Sequence, residues 1–136
     1  MPDLAARLRL AVTRTARRLR QEAGGGLSPS LTAALATIDR HGPLTPSELA
    51  TRERIQRPTA TRVIARLEEM GLIGRTTDPQ DRRSSLVSVT PEATALLAEQ
   101  RTRKTAFLAE RLDGLDAEDR ATLERAADVL ERMLAE

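Results

Sequence analysis

The stretch "TPSELATRERIQRPTATRVIARLEEMGLIGR", residues 45–75, contains two helix starts separated by one short turn. Thr45 and Glu48 have the spacing of a capping box, in which each side chain bonds the other residue's backbone N–H, and Pro46 suits the first helical position. These signals predict a short helix over residues 46–53, with Leu49 and Ala50 facing inward.

A second helix is expected to begin at Gln56 or Arg57, after a turn at Arg54 and Ile55. Gly71 is its expected C-cap. Its apolar residues recur at helical spacing and form one side. These are Ala60, Val63, Ile64, Leu67 and Met70. A short capped helix, a brief turn and a second helix make a helix-turn-helix.

A β-hairpin is predicted directly after this unit. Its strands are residues 72–76 and 85–89, rich in β-branched and aliphatic residues. The connection begins with the turn-forming run Asp78-Pro79-Gln80-Asp81 and continues with Arg82 and Arg83. A hairpin after a helix-turn-helix indicates the winged variant of that motif.

Further helices are expected on both sides. Residues 4–22 carry one apolar stripe and six arginines, and three consecutive glycines follow. Ser28 and Pro29 open a helix that runs to about Arg40, and the run His41-Gly42-Pro43 stops it. The inward residues of this second helix are Leu31, Ala34, Leu35 and Ile38.

Two long helices complete the predicted order. Thr90 and Pro91 open the first, over about 91–112, and Gly114 is its expected C-cap. Asp116 opens the last, which has an apolar stripe. The stripe consists of Leu123, Ala126, Ala127, Leu130 and Leu134. The fold class is therefore mainly α (α+β), a winged helix-turn-helix lobe flanked by terminal helices.

Composition excludes several classes of protein. The 136 residues contain no cysteine and one histidine, His41, so a thiolate or His-cluster metal site is excluded. His41 is expected to be a helix-end residue rather than a ligand. We expect no enzyme and no cofactor, because a nucleophile–base pair and a phosphate-binding glycine motif are absent. No apolar run has membrane-spanning length, so a cytoplasmic protein is expected.

The predicted helix-turn-helix assigns side chains to DNA. The start of the second helix can enter the major groove, where arginine pairs with guanine, glutamine with adenine, and a threonine methyl contacts thymine. An arginine of the wing can lie in the adjacent minor groove. The expected DNA-binding residues are Ser47, Gln56, Arg57, Thr59, Thr61, Arg62, Arg66, Arg75, Arg82 and Arg83. Arg66 and Arg75 are expected to contact phosphate or to be plain surface residues, and Ser47 has a first-turn role that leaves nearby amides free for phosphate.

Residues 27–94 resemble the DNA-binding lobe of the MarR family of bacterial transcriptional regulators. The resemblance is carried by the wing "DPQDRR" and by "RPTATRVIARLEEMGLIGR". It implies a homodimer that binds a pseudo-palindromic operator, with Arg83 in the minor groove, Arg82 beside it, and Asp78 and Asp81 orienting the wing. The chain departs from the family pattern at Arg54, where glycine is usual, at Gln56, where a small hydroxyl cap is usual, and at Ala93, where glycine is frequent.

We therefore expect a single domain over residues 1–136. Residues 1–27 and 95–136 would be dimerisation helices, and residues 28–94 the DNA-binding lobe, with a recognition helix at 56–70 and a wing at 77–84. The family implies a dimeric, sequence-specific regulator of double-stranded DNA, more often a repressor than an activator, with a small anionic effector that the sequence does not identify. The alternative is a winged-helix protein-interaction module, in which Arg82 and Arg83 are solubilising loop charges.

Overall fold

The computed structural model describes residues 3–135, which form six helices and one two-stranded sheet. In chain order the elements are α1 Leu4–Ala23, α2 Pro29–His41, α3 Pro46–Glu53, α4 Arg57–Glu69, β1 Ile73–Thr77, β2 Ser85–Val89, α5 Pro91–Asp113 and α6 Ala117–Leu134. The predicted order and fold class are confirmed. The predicted bounds 1–27 and 95–136 include Met1, Pro2 and Glu136, which lie outside the described residues.

Helix starts form where the sequence predicts them. The Ser28 hydroxyl accepts a hydrogen bond from the Leu31 N–H at 3.3 Å, and the Thr90 hydroxyl accepts one from Ala93 at 3.3 Å. At α3 the capping box is complete, with Glu48 N–H donating to Thr45 Oγ1 at 3.1 Å and Thr45 N–H donating to Glu48 Oε1 at 3.4 Å. These bonds satisfy N–H groups that lack a partner within their helix.

The two strands pair antiparallel, from Ile73 opposite Val89 to Thr77 opposite Ser85. The first strand begins one residue later than the predicted 72–76. A third segment joins the hairpin at Leu44, just before α3, through a pair of hydrogen bonds with Val87 at 3.0 and 2.7 Å. The hairpin is thereby attached to the segment that leads into the helix-turn-helix.

The core lies in the lobe. It joins the inner faces of α2, α3 and α4 to the hairpin and to the first turns of α5, where Ala93 and Leu97 are buried. The largest fully buried side chains are Leu35, Ile38, Leu44, Leu49, Ile64, Leu67 and Val87. Ala93 has no exposed surface, so the position at which the related family often has glycine accommodates a methyl group in this core.

Two predictions about the end of α4 are wrong in detail, and the one about the end of α5 is confirmed. The C-cap of α4 is Met70 rather than Gly71. Met70 was expected on the apolar side of α4, but its side chain is 37% exposed, because α4 ends at Glu69 and Gly71 turns the chain at φ 74°. Gly114 does cap α5, but with φ −81° and ψ −4°, a right-handed conformation that does not require glycine.

The terminal helices lie outside this core. No residue of α6 is buried, and Ala23 is the only buried residue of α1. The most exposed apolar side chains of the two helices belong largely to the predicted stripes. They are Leu4, Leu8, Leu10 and Val12 in α1, and Leu123, Val129, Met133 and Leu134 in α6.

Helix α1 is held against α5 at two places. At the first, the guanidinium group of Arg18 in α1 lies 5.3 Å from the centre of the Phe107 ring in α5, and Arg111 of α5 lies 4.8 Å from the same ring. At the carboxyl end of α1, Gln100 Nε2 donates to the carbonyl of Gly24 at 3.3 Å, and Arg103 donates to that of Ala23 at 3.2 Å. Gln100 is buried and Gly24 is exposed, so this contact fixes the start of the glycine link against a buried side chain of α5.

Glycine substitutions in this link test the contact. Gly25 and Gly26 both have positive φ, 93° and 72°, but only at Gly25 would a Cβ lie 2.5 Å from Gln100 Nε2. Alanine at either position carries the backbone strain of about 1–2 kcal/mol. Gly25→Ala also displaces the buried amide and adds about 1–3 kcal/mol.

The free energy of unfolding, measured in urea, should therefore fall further for Gly25→Ala than for Gly26→Ala, which is the matched control. Equal losses would show that the Gln100 contact contributes nothing to stability.

Candidate nucleic-acid interface

The turn between α3 and α4 sets the relation of the two helices. Arg54 adopts a left-handed conformation, with φ 55° and ψ 44°, and the Ile55 N–H donates to the Ala50 carbonyl at 3.0 Å. Helix α4 then buries Ala60, Ile64 and Leu67 in the core. Its opposite face carries the polar residues and is exposed.

Predicted DNA-binding residues lie together at the start of α4. Gln56 occupies the N-cap position but makes no capping bond, so its amide is left free. Arg62 donates to Thr59 Oγ1 at 3.3 Å, and the Thr61 hydroxyl donates to the Arg57 carbonyl at 3.0 Å. Gln56, Arg57, Thr61 and Arg62 are exposed and Thr59 is half-buried, so this face can present donors and methyl groups to a partner.

Two predicted residues have carboxylate partners. Arg66 pairs with Glu69 at 3.3 Å near the end of α4, and Arg75 Nε pairs with Glu68 at 3.1 Å from the first strand. Both pairs are largely exposed and would add little stability in water. Their positive charge is nevertheless partly compensated within the protein.

The tip of the wing is shaped by two aspartates. Asp78 Oδ1 accepts a hydrogen bond from the Gln80 N–H at 2.9 Å, and Asp81 Oδ1 accepts one from the Arg83 N–H at 3.0 Å. Backbone bonds of 3.0 Å join Ser84 to Asp78 and to Asp81. The aspartates thus hold the backbone of the loop rather than the guanidinium groups.

Arg82 and Arg83 are exposed, and neither forms an ion pair within residues 3–135. The same holds for Arg57 and Arg62 within these residues. Glu48 accepts a hydrogen bond from the Thr45 hydroxyl and Glu53 accepts one from the Thr37 hydroxyl, so both carboxylates of α3 have hydrogen-bond partners within the lobe.

Ser47 is exposed in the first turn of α3, where its carbonyl accepts the Thr51 hydroxyl at 3.1 Å. The cap itself is Thr45. Two cations that the sequence did not single out, Arg52 and Arg54, lie exposed at the end of α3 and in the turn. For Arg54 the sequence did offer a signal, because an arginine stands at a turn position where the related family usually has glycine.

Comparison with known proteins agrees with this geometry. Residues 27–85 match the MarR family. A Mycobacterium leprae protein described as an uncharacterized HTH-type transcriptional regulator is 40% identical over 134 residues, 98% of this chain and 94% of that protein. The chain belongs to the MarR family. It is a transcriptional regulator with the DNA-binding winged helix of that family.

Two further relatives are informative. A Pseudomonas aeruginosa crystal structure, described provisionally as a transcriptional regulator, superposes with a TM-score of 0.87 at 36% identity, covering 98% of this chain and 94% of that one. The Bacillus subtilis transcriptional repressor MdtR is 33% identical over 94 residues, 69% of this chain and 61% of that protein. The relatives are regulators rather than enzymes.

Other kinds of site find little support in the part of the chain that the structure describes. Within residues 3–135, His, Asp and Glu side chains form no group of three that could hold a metal ion. None of the helices described there is long and apolar enough to cross a membrane.

The loop bonds of the wing can be tested by amide hydrogen exchange. Asp81→Ala removes the acceptor of the Arg83 N–H, so this amide should exchange several-fold faster. Asp81→Asn keeps an oxygen acceptor at the same place and should leave exchange near the wild-type rate. The Gln80 amide, bonded to Asp78, is the internal control. Unchanged exchange at Arg83 in Asp81→Ala would contradict this role of Asp81.

Proposed function

We propose that two copies of this MarR-family regulator form a dimer that binds a pseudo-palindromic operator and represses transcription. In each copy α4 lies in the major groove, and the wing, residues 77–84, lies in the adjacent minor groove. The observation that carries the proposal is the distribution of arginines without carboxylate partners over the helix-turn-helix and wing.

Within the lobe the arginines fall into two groups. Arg66 and Arg75, toward the far end of α4 and the base of the wing, pair with glutamates. The second group forms no ion pair within residues 3–135 and lies in α3, the turn, the start of α4 and the wing: Arg52, Arg54, Arg57, Arg62, Arg82 and Arg83. Arg40, at the end of α2, also has no ion pair there. Exposed cations without local anions attract phosphates, and phosphate neutralisation dominates affinity for DNA.

Base recognition is assigned to the first turns of α4. The guanidinium groups of Arg57 and Arg62 can each donate two hydrogen bonds to guanine, and the free Gln56 amide can pair with adenine. Thr59 and Thr61 offer methyl groups to thymine. Ser47, Arg66 and Arg75 are assigned to the phosphate backbone, where they would position the lobe without reading sequence.

The wing is assigned to the minor groove. Its tip carries two adjacent exposed cations without ion pairs in residues 3–135, which suit the enhanced negative potential of a narrow groove. The backbone bonds made by Asp78 and Asp81 support this assignment, because an ordered loop loses less conformational entropy on binding.

The dimer is supported by the exposed apolar stripes of α1 and α6. Each buried leucine contributes about 1.5–3 kcal/mol, and an exposed patch of this kind marks an interaction site. A two-fold dimer also doubles the base contacts, with half-sites about one helical turn apart. Residues 1–27 and 95–136 are therefore assigned to dimerisation and residues 28–94 to DNA.

Repression is favoured over activation by the similarity to the repressor MdtR and by a simple physical route, since a bound dimer excludes polymerase from overlapping DNA. A small anionic effector is the expected regulator. We assign no identity to the effector.

The wing assignment predicts a specific loss in Arg83→Ala. Selection from a random duplex pool should yield a palindromic site, and Arg83→Ala should bind it about 1–3 kcal/mol more weakly, with a shallower dependence on salt. Arg125→Ala, which removes the same charge from α6, is the control and should bind as wild type does.

If a palindromic site is enriched but Arg83→Ala binds it normally, the wing assignment fails. If no sequence is enriched, the protein-interaction module becomes the better explanation.

The dimer assignment predicts dissociation in Leu123→Glu. Leu123 is 46% exposed in the isolated chain and would be buried in both copies, so the dimer should lose at least about 3 kcal/mol. Analytical ultracentrifugation should find monomers, with weaker operator binding. Thr122→Glu adds the same charge to the neighbouring exposed position, and we expect it to remain dimeric. A wild-type protein that sediments as a monomer at micromolar concentration contradicts the assignment.

A further inference from the structure

Arg54 has an unfavourable backbone conformation. It is the only residue other than glycine with positive φ among residues 3–135, at φ 55° and ψ 44°. For L-residues this region brings Cβ close to the following carbonyl oxygen, and glycine avoids that cost. Residues held in such conformations concentrate at functional sites, so an observed outlier justifies a search for its role.

The turn itself does not need an arginine. Its geometry is that of a left-handed helix cap, with the Arg54 N–H donating to the Thr51 carbonyl at 3.3 Å and the Ile55 N–H donating to Ala50 at 3.0 Å. Both bonds are made by the backbone, and glycine would make them without strain. Within residues 3–135 the Arg54 side chain makes no hydrogen bond and no ion pair.

Other cations lie near Arg54 in the sequence. Arg52 and Arg57 are exposed, and within residues 3–135 neither forms an ion pair. Glu53, between Arg52 and Arg54, accepts a hydrogen bond from Thr37 of α2 and forms no ion pair with either arginine. The Arg54 guanidinium is therefore free to meet an anion outside the lobe.

We propose that Arg54 binds a DNA phosphate at the rim of the major groove that α4 occupies. This inference rests on the proposed function. The turn directly precedes the residues of α4 that meet base edges, so an exposed side chain on it lies beside the sugar–phosphate backbone. The contact contributes affinity and orientation, and it carries no sequence information.

The charge and the Cβ of Arg54 have different expected effects. The charge of Arg54 acts on DNA, whereas its Cβ acts on the stability of the free protein. Three substitutions distinguish them: Arg54→Gly removes the charge and the strain, Arg54→Ala removes the charge and keeps the strain, and Arg54→Lys keeps both. DNA affinity should follow the charge, and the thermal midpoint should follow the presence of Cβ.

The experiment measures the thermal midpoint of the full chain and its affinity for the selected duplex and a scrambled duplex at several salt concentrations. Arg54→Gly should unfold at a higher temperature than wild type, yet bind both duplexes several-fold more weakly. The slope of log affinity against log salt should become shallower by about 0.9 for the lost phosphate. Arg54→Ala should show the same loss of affinity without the gain in midpoint, and Arg54→Lys should retain the salt slope.

Two results would overturn the proposal. The first is that the Arg54→Gly and Arg54→Ala variants bind DNA with the affinity and salt slope of wild type, because Arg54 would then have no role in DNA binding. A loss confined to the selected duplex would make Arg54 a reader of bases instead of a phosphate ligand. Failure of wild type to prefer any duplex is a different outcome, since it rejects the proposed function before Arg54 is tested.

Discussion

One buried backbone pairing joins the wing to the helix-turn-helix. Leu44 and Val87 exchange two hydrogen bonds, and both side chains are enclosed by the core. Leu44 directly precedes the capped start of α3, while Val87 is the centre of the second strand, opposite Arg75. The second strand is therefore attached through buried backbone to the segment that leads into α3, and the first strand follows α4 through the turn at Gly71.

The arginines of the lobe differ in whether a glutamate lies beside them, and this difference matters more than the net charge of the chain. The chain has a formal net charge of only +2, which alone would not indicate a polyanion partner. The arginines near the far end of α4 and the base of the wing lie beside glutamates, while those of the turn, the start of α4 and the wing tip do not. The carboxylates of α3 accept hydrogen bonds from Thr45 and Thr37, and within residues 3–135 neither lies within ion-pair distance of an arginine.

Stability and assembly are assigned to different helices. The lobe buries its own core, and α5 joins it to the terminal helices by contributing Ala93 and Leu97 to that core and Phe107 to the contact with α1. Helix α6 contributes no buried residue to the isolated chain. Such a helix is retained as a folded element when a partner covers its apolar face, since isolated helices of this length are marginal in water.

The sequence by itself determined the order of the helices and strands, because the residues that begin a helix act within one turn of it. Thr45 with Glu48, Ser28 with Pro29, and Thr90 with Pro91 cap the backbone within one turn, and each helix begins at the predicted place. Met70 was interpreted less well, because exposure at a helix end depends on what the following chain packs against. Only the tertiary structure decided that Arg75 pairs with Glu68, that Leu44 pairs with Val87, and that Gln100 fixes the glycine link. Those contacts join residues brought together by packing, as Gln100 and Gly24 are across 76 positions, and such pairs leave no periodic signal in the sequence.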